Sequence, residues 1–176
     1  MNVRQLDRAD APAYQALRLE ALRESPTAFS ASYEDEIGRS LEEVAARITP
    51  AADGSLRMFG IFEGADLCGF VAIVHPQRAK LRHSVELAGM YVAPVSRRRG
   101  LASALLQEVI RDVRSMAGIR RIKLGVNAGN AAAIALYRSA GFERYGIEPD
   151  ALNVDGRFYD EEHFVLRLPA LGSVPP

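Results

Sequence analysis

The chain has 176 residues, 48% apolar and 25% charged, with 22 Lys+Arg balancing 22 Asp+Glu; this predicts one domain over 1–170, able to bury a core without disulfides or metal, and a frayed tail over 171–176. A zero net charge argues against a dedicated nucleic-acid partner, and no apolar run reaches the length of a membrane span. Cys68 is the sole cysteine, which reads as a packed core thiol in a protein of the reducing cytoplasm, and "MNVRQLDRADAPAYQ" lacks the apolar stretch of a signal peptide.

In chain order, "NVRQL" predicts a short strand. "DRADAPAYQALRLEALRES" predicts a helix capped by Asp10 with Pro12 just inside it, its stripe formed by Tyr14, Leu17, Ala21 and Leu22. "SLEEVAARI" predicts another helix, with Ser40 and Glu43 at capping-box spacing and Leu41, Val44 and Ile48 inward. "LRMFGIFEG" and "DLCGFVAIV" read as a hairpin turning at "EGAD". "SVELAGMYVAP" is a further strand. From Leu101 the apolar positions 101, 102, 105, 106, 109, 110 and 113 trace a helical stripe. "RRIKLGV" is a strand, and "NAAAIALYRSAG" a nearly charge-free helix between Asn130 as N-cap and Gly141 as C-cap. "GFERYG" and "RFYDEEHFVLRL" are closing strands.

The run Arg97-Arg98-Arg99-Gly100 stands where a strand hands over to a helix. The first amides of a helix lack internal partners and the dipole adds positive charge there, so a glycine turn at that point suits a phosphate. Solvated arginines ahead of an ordinary helix remain the plain alternative. The Lys-Ser/Thr of a Walker loop and the three glycines of a dinucleotide fingerprint are both missing.

Arg97-Arg98-Arg99-Gly100-Leu101-Ala102 resembles the [Q/R]-x-x-G-x-[G/A] signature of the GNAT superfamily of N-acetyltransferases. "NAAAIALYRSAGF" is similar to that superfamily's second conserved helix, with Asn130, Tyr137 and Gly141-Phe142 in the matching places. The departure is Ala102, where many members carry Gly. The resemblance covers nearly the whole chain. It implies an α/β (α+β) fold: a mixed, mostly antiparallel central sheet, split at two parallel strands and flanked by helices.

It also implies acetyl-CoA as co-substrate and no metal. The backbone of Met90, Tyr91 and Val92 is expected to pair with the pantetheine arm as an added strand does. The amides of residues 98 to 103 (Arg98, Arg99, Gly100, Leu101, Ala102, Ser103) are expected at the pyrophosphate, with Arg97 at the signature position and Asn130 beside the pantetheine.

Acyl transfer to an amine requires a neutral amine, a stabilised oxyanion and a proton for the leaving thiolate. The matching motif position makes Tyr137 the candidate acid; a phenol near pKa 10 can protonate a thiolate of about 8.5. The Val92 amide is the expected oxyanion donor. Glu86, six positions earlier, is placed by even spacing on the same sheet face as Val92. It serves either as general base or as a salt-bridged edge carboxylate. The base position that other members use on the next strand falls at Gly125, which has no side chain; His83 is the weaker candidate. Deprotonating a lysine amine at pH 7 costs roughly 4–5 kcal/mol and an α-amine about 1 kcal/mol, which favours a low-pKa amine. Phe29, Tyr33 and Tyr159 are expected as aromatic walls for a small-molecule, peptide or protein amine. Glu34, Asp35 and Glu36 would then attract its positive charge. The acceptor's identity stays open, exposed late strands leave room for a homodimer, and a non-catalytic acyl-CoA sensor of the same fold is the competing reading.

Overall fold

A computed structural model describes residues 1–169; the tail expected over 171–176 lies outside them. Seven strands form one sheet: β1 (Asn2–Gln5), β2 (Leu56–Glu63), β3 (Asp66–Val74), β4 (Ser84–Val92), β5 (Arg121–Asn127), β6 (Glu143–Val154) and β7 (Arg157–Arg167). Their order across the sheet is β1-β2-β3-β4-β5-β7-β6. Every neighbouring pair is antiparallel except β4 and β5. This is the mixed sheet expected from the sequence.

Helices cover both faces. On one, α1 (Ala11–Glu24), the short α2 (Tyr33–Ile37) and α3 (Leu41–Ile48) supply a core that includes Tyr14, Leu17, Leu22, Val44 and Ile48 against Met58, Phe70 and Tyr91. On the other, α4 (Leu101–Ser115) sets Leu101, Leu105, Leu106, Val109, Ile110 and Val113 against Ile61, Val71, Ile73 and Ile122. Alternating strand residues feed the two cores, as period-two side chains must. Cys68 is buried in the α4-side core. Among the described residues, no helix is long and apolar enough to cross a membrane.

Four local expectations change. Asp10 stands at the N-cap position of α1 but makes no capping bond. Its carboxylate instead accepts from both Arg4 guanidinium nitrogens at 2.6 Å and from the Asp7 amide at 2.9 Å. Asp7 caps the single 3-10 turn over Arg8–Asp10. Leu41 is 52% exposed, because the face of α3 that packs is set by Val44, Ala45 and Ile48. Gly141 lies one residue past the C-cap, Ala140, where its φ of +89° lets the chain leave α5 (Ala131–Ser139). Finally, β6 runs on to Val154, with register shifts at Arg144/Gly146 and Glu148/Leu152, so the last hairpin turns at Asp155-Gly156.

Candidate active site

The parallel pair positions the site. β4 and β5 are in register for three residues only, Ser84↔Arg121 to Glu86↔Lys123. Beyond Glu86 the strands diverge, and the edge of β4 facing β5 has no strand partner among the described residues. A small cavity of about 50 Å3 occupies that opening, between Ala88–Met90 of β4, Gly125–Asn127 of β5, and Asn130 and Tyr137 of the α5 segment.

A bulge against β3, on the other edge of β4, shapes the same strand. Phe70 opposes Tyr91 and Ala72 opposes Ala88, so two residue intervals of β3 face three of β4. Gly89, at φ +60°, takes the left-handed step that this requires. The bulge inverts the side-chain alternation. Tyr91 therefore joins the α1-side core, while Val92 joins Leu87 in the α4-side core. This corrects the even-spacing expectation: Glu86 faces the α1-side cavity with Phe70 and Ala72, on the sheet face opposite Val92.

The backbone of Val92 is turned to the opening. Ala93 donates its amide to Cys68 of the β3 side at 2.9 Å. Main-chain groups alternate direction along a strand, so the Val92 amide and carbonyl point away from β3. The carbonyl accepts from Arg97 Nε at 3.0 Å.

The arginine run resolves into three fates. Arg97 also grips Glu24 of α1 through both terminal nitrogens, at 2.9 and 2.7 Å, and this holds the Glu24 carboxyl down at about 2. Arg99 grips Glu63 the same way, at 2.8 and 2.7 Å. Arg98 is exposed, adopts φ +59° and has no ion-pair partner among the described residues. Gly100 follows at φ +81° and caps α4 without any side-chain bond. Two left-handed residues, Arg98 and Gly100, thus precede a helix start that has no side-chain cap.

Tyr137 is 8% exposed and packs edge-on against Phe142 at 5.8 Å. Its hydroxyl contacts Met90 Sδ at 3.8 Å, across the opening from α5 to β4. Burial pushes the phenol up to about 12. Asn130 is the N-cap of α5, its Oδ1 accepting from the Ala133 amide at 3.1 Å; its remaining surface borders the opening.

A larger cavity of about 490 Å3 adjoins the opening on the α1 side of the sheet. Of the expected aromatic walls it includes Phe29 alone. Tyr33 lies in a neighbouring groove beneath Arg23, 3.9 Å from ring centre to guanidinium, and Tyr159 in another groove beside Asn127 and Asn130. Glu36 is not a free acid for an ammonium group either. It is 1% exposed and accepts from Arg18 and Arg47, both at 3.0 Å. Asp35 is occupied as the capping-box partner of Ser32. His83 has no place on either cavity wall.

Sequence reasoning missed several lining residues, Lys123 of β5 among them. Arg18 shows itself only as a charge four residues after Tyr14, on the buried stripe of α1. Arg47 comes from α3. Glu161, on β7, sits over Gly125: a Cβ there would meet its Oε2 at 2.9 Å. Burial and the neighbouring charges of Glu148 and Glu86 raise the Glu161 carboxyl, against an opposing effect of His163. Glu148, Glu161 and His163 bring one polar atom each within 4.8 Å of one another at this wall.

The fold is shared with known proteins. The family model described as the Acetyltransferase (GNAT) family matches residues 13–142. The chain is 35% identical over 98 residues to an L-methionine sulfoximine/L-methionine sulfone acetyltransferase of Pseudomonas paraeruginosa, covering 56% of this chain and 54% of that protein. It is 38% identical over 84 residues to a [ribosomal protein bS18]-alanine N-acetyltransferase of Escherichia coli, covering 47% and 54%. The matches thus span about half the length of these curated relatives. Among solved structures, the ribosomal-protein-alanine N-acetyltransferase of Brucella melitensis superposes with a TM-score of 0.82 at 27% identity, over 96% of this chain and all of that one. A phosphinothricin acetyltransferase of Sinorhizobium meliloti in complex with acetyl-CoA shares the fold, with a TM-score of 0.81 at 23% identity over 99% and 92%.

Proposed function

The chain belongs to the GNAT acetyltransferase family, and from that premise we propose that it transfers the acetyl group of acetyl-CoA to a primary amine by direct attack in a ternary complex. The observation that carries this reading is the β4–β5 opening, which Met90 and Tyr137 line, with the Val92 amide turned away from β3 two residues further along β4. The residues present fit the co-substrate: an uncapped helix start that follows the left-handed Arg98 and Gly100 suits a pyrophosphate, and an unpaired strand edge suits an extended amide-bearing arm. The amides of Arg98 to Ser103 hold the former; the backbone of Met90, Tyr91 and Val92, with Asn130, lines the latter. Arg97, tied to Glu24 and the Val92 carbonyl, acts by fixing the end of β4.

Acetyl-CoA, when bound, supplies an activated thioester. The Val92 amide stabilises the oxygen on which negative charge develops. Tyr137 keeps its proton through the neutral range, because its pKa is pushed up to about 12, and gives it to the departing sulfur. Glu86 and Glu161 border the acceptor side, and Glu161, whose pKa is raised chiefly by burial, takes the proton of the amine. Cys68 is locked in the α4-side core, so the acetyl group passes to the amine directly. The relatives named for methionine sulfoximine and for an alanine of ribosomal protein bS18 support an amine acceptor. The lone, buried Cys68 is in keeping with work in the cytoplasm.

The test is a thiol-release assay with acetyl-CoA and a panel of primary amines, alongside calorimetric binding of acetyl-CoA. Amine-dependent CoA release is expected. Tight acetyl-CoA binding without release on any amine would make the protein an acyl-CoA sensor instead.

A further inference from the structure

The larger cavity is bipolar. Its α1 side carries Arg18 and Arg47; the wall built by β4 to β7 carries Glu86, Glu148, Glu161 and His163, with Lys123 as its one lysine. Acyl transfer accounts for the acidic side. Nothing in that chemistry requires the basic one.

Arg18 is buried, with a side chain 6% exposed. It gives Nε and Nη2 to Glu36, while Nη1 has no hydrogen-bond partner among the described residues. That free nitrogen stands at the bulge of β4, 3.8 Å from where a Cβ on Gly89 would lie. The Phe29 ring stacks on the guanidinium at 4.5 Å and fixes its plane. Arg47 donates Nη1 to the same Glu36 carboxylate at 3.0 Å. Two guanidiniums share one carboxylate, so one positive charge is left over beside Phe29, Met58 and Phe70. The Arg47 side chain is 36% exposed, so that charge is open to an anion entering from solution. A guanidinium held by its back edge presents its remaining N–H groups to a planar anion.

Resting on the acetyltransferase reading, we propose that the acceptor is an amine carrying its own carboxylate, an amino acid or close analogue, and that Arg18 with Arg47 binds that carboxylate. Glu36 is then a positioning residue that aims both guanidiniums. The acidic wall receives the amine and its proton. A peptide N-terminus puts an amide where the carboxylate belongs and leaves the charge unmatched, a mismatch that polar sites reject strongly.

The experiment compares L-methionine, β-alanine and 4-aminobutyrate with their amides, by CoA release and by calorimetric binding to the CoA-loaded protein. At least one acid is expected to exceed its amide in kcat/KM by about tenfold or more, equivalent to about 1.4 kcal/mol. Arg47→Gln, which keeps the Arg18–Glu36 pair, and Arg18→Lys should both draw that ratio toward one. Equal kcat/KM or equal binding for every acid–amide pair overturns the carboxylate receptor and leaves acetyl transfer standing. If no amine releases CoA, yet an acid outbinds its amide and Arg47→Gln abolishes the preference, the receptor stands and the transferase reading falls.

Discussion

Glu161 occupies the space that a side chain at Gly125 would need: its Oε2 lies 2.9 Å from the position of a Cβ there. A carboxylate from β7 thus stands over the β5 position where the sequence offers no base. Burial is the main cause of its raised pKa, and the charge of Glu86 adds to it. A base of raised pKa loses activity as pH falls through that value, so the acidic limb should lie above the ordinary glutamate range. Glu161→Gln is expected to displace or abolish that limb in a kcat/KM profile. Glu86→Gln removes one of the charges holding Glu161 up and should move the limb to lower pH. A limb that stays in place in both variants would assign the carboxylates a structural role.

Tyr137 and Met90 bridge the opening from opposite sides, and the phenol lies too deep to ionise in the neutral range. Tyr137→Phe keeps the ring packed on Phe142 and deletes the proton. We expect kcat to fall by at least about tenfold, a floor beneath the roughly hundredfold that a general acid typically contributes, with acetyl-CoA affinity nearly unchanged. Turnover equal to wild type would remove Tyr137 from the mechanism.

Local signals carried much of the fold and part of the site. The apolar stripe from Leu101 to Val113 and the Asn130 cap are set within a few residues of chain, and both appear where the sequence places them. The Gly89 bulge depends on how β4 registers against β3, a contact between distant segments. Even spacing alone therefore puts Glu86 and Val92 on one face, and the bulge puts them on opposite ones. Glu36 reads as one acid in an acidic run; only the fold brings it to Arg18 and Arg47, 18 and 11 residues away. Tyr33 and Tyr159 are aromatic in sequence, but the paths of α2 and the last hairpin set them in separate grooves.

Gly89→Ala tests the bulge. Its Cβ would find only ordinary contacts, with Arg18 Nη1 at 3.8 Å and Phe29 at 4.0 Å. The cost is therefore conformational, about 1–2 kcal/mol for a non-glycine residue forced into the left-handed region. If β4 relieves that strain by regularising, the Val92 amide turns away from the opening. A lower midpoint in chemical denaturation, together with weaker acetyl-CoA binding by calorimetry, is expected. Loss of stability without loss of binding would separate the bulge from the cofactor edge.

Glu36 links the acceptor cavity to acid stability. Burial alone raises its pKa, but the hydrogen bond and charge of Arg18, then Arg47, outweigh that and lower it. A carboxyl with a depressed folded pKa contributes its full stability above its unfolded value, about 4.3, and loses it as pH falls through the folded value. Glu36→Ala leaves two guanidiniums without their shared anion, one of them buried, and should cost about 3–5 kcal/mol at pH 7. Glu36→Gln keeps the shape and should cost less. The gap between wild type and Glu36→Gln should narrow below about pH 4, as the wild-type carboxyl takes up its proton. Urea denaturation of wild type and Glu36→Gln from pH 3 to pH 7 measures this directly. A gap independent of pH would show that Glu36 does not change its protonation on unfolding in this range.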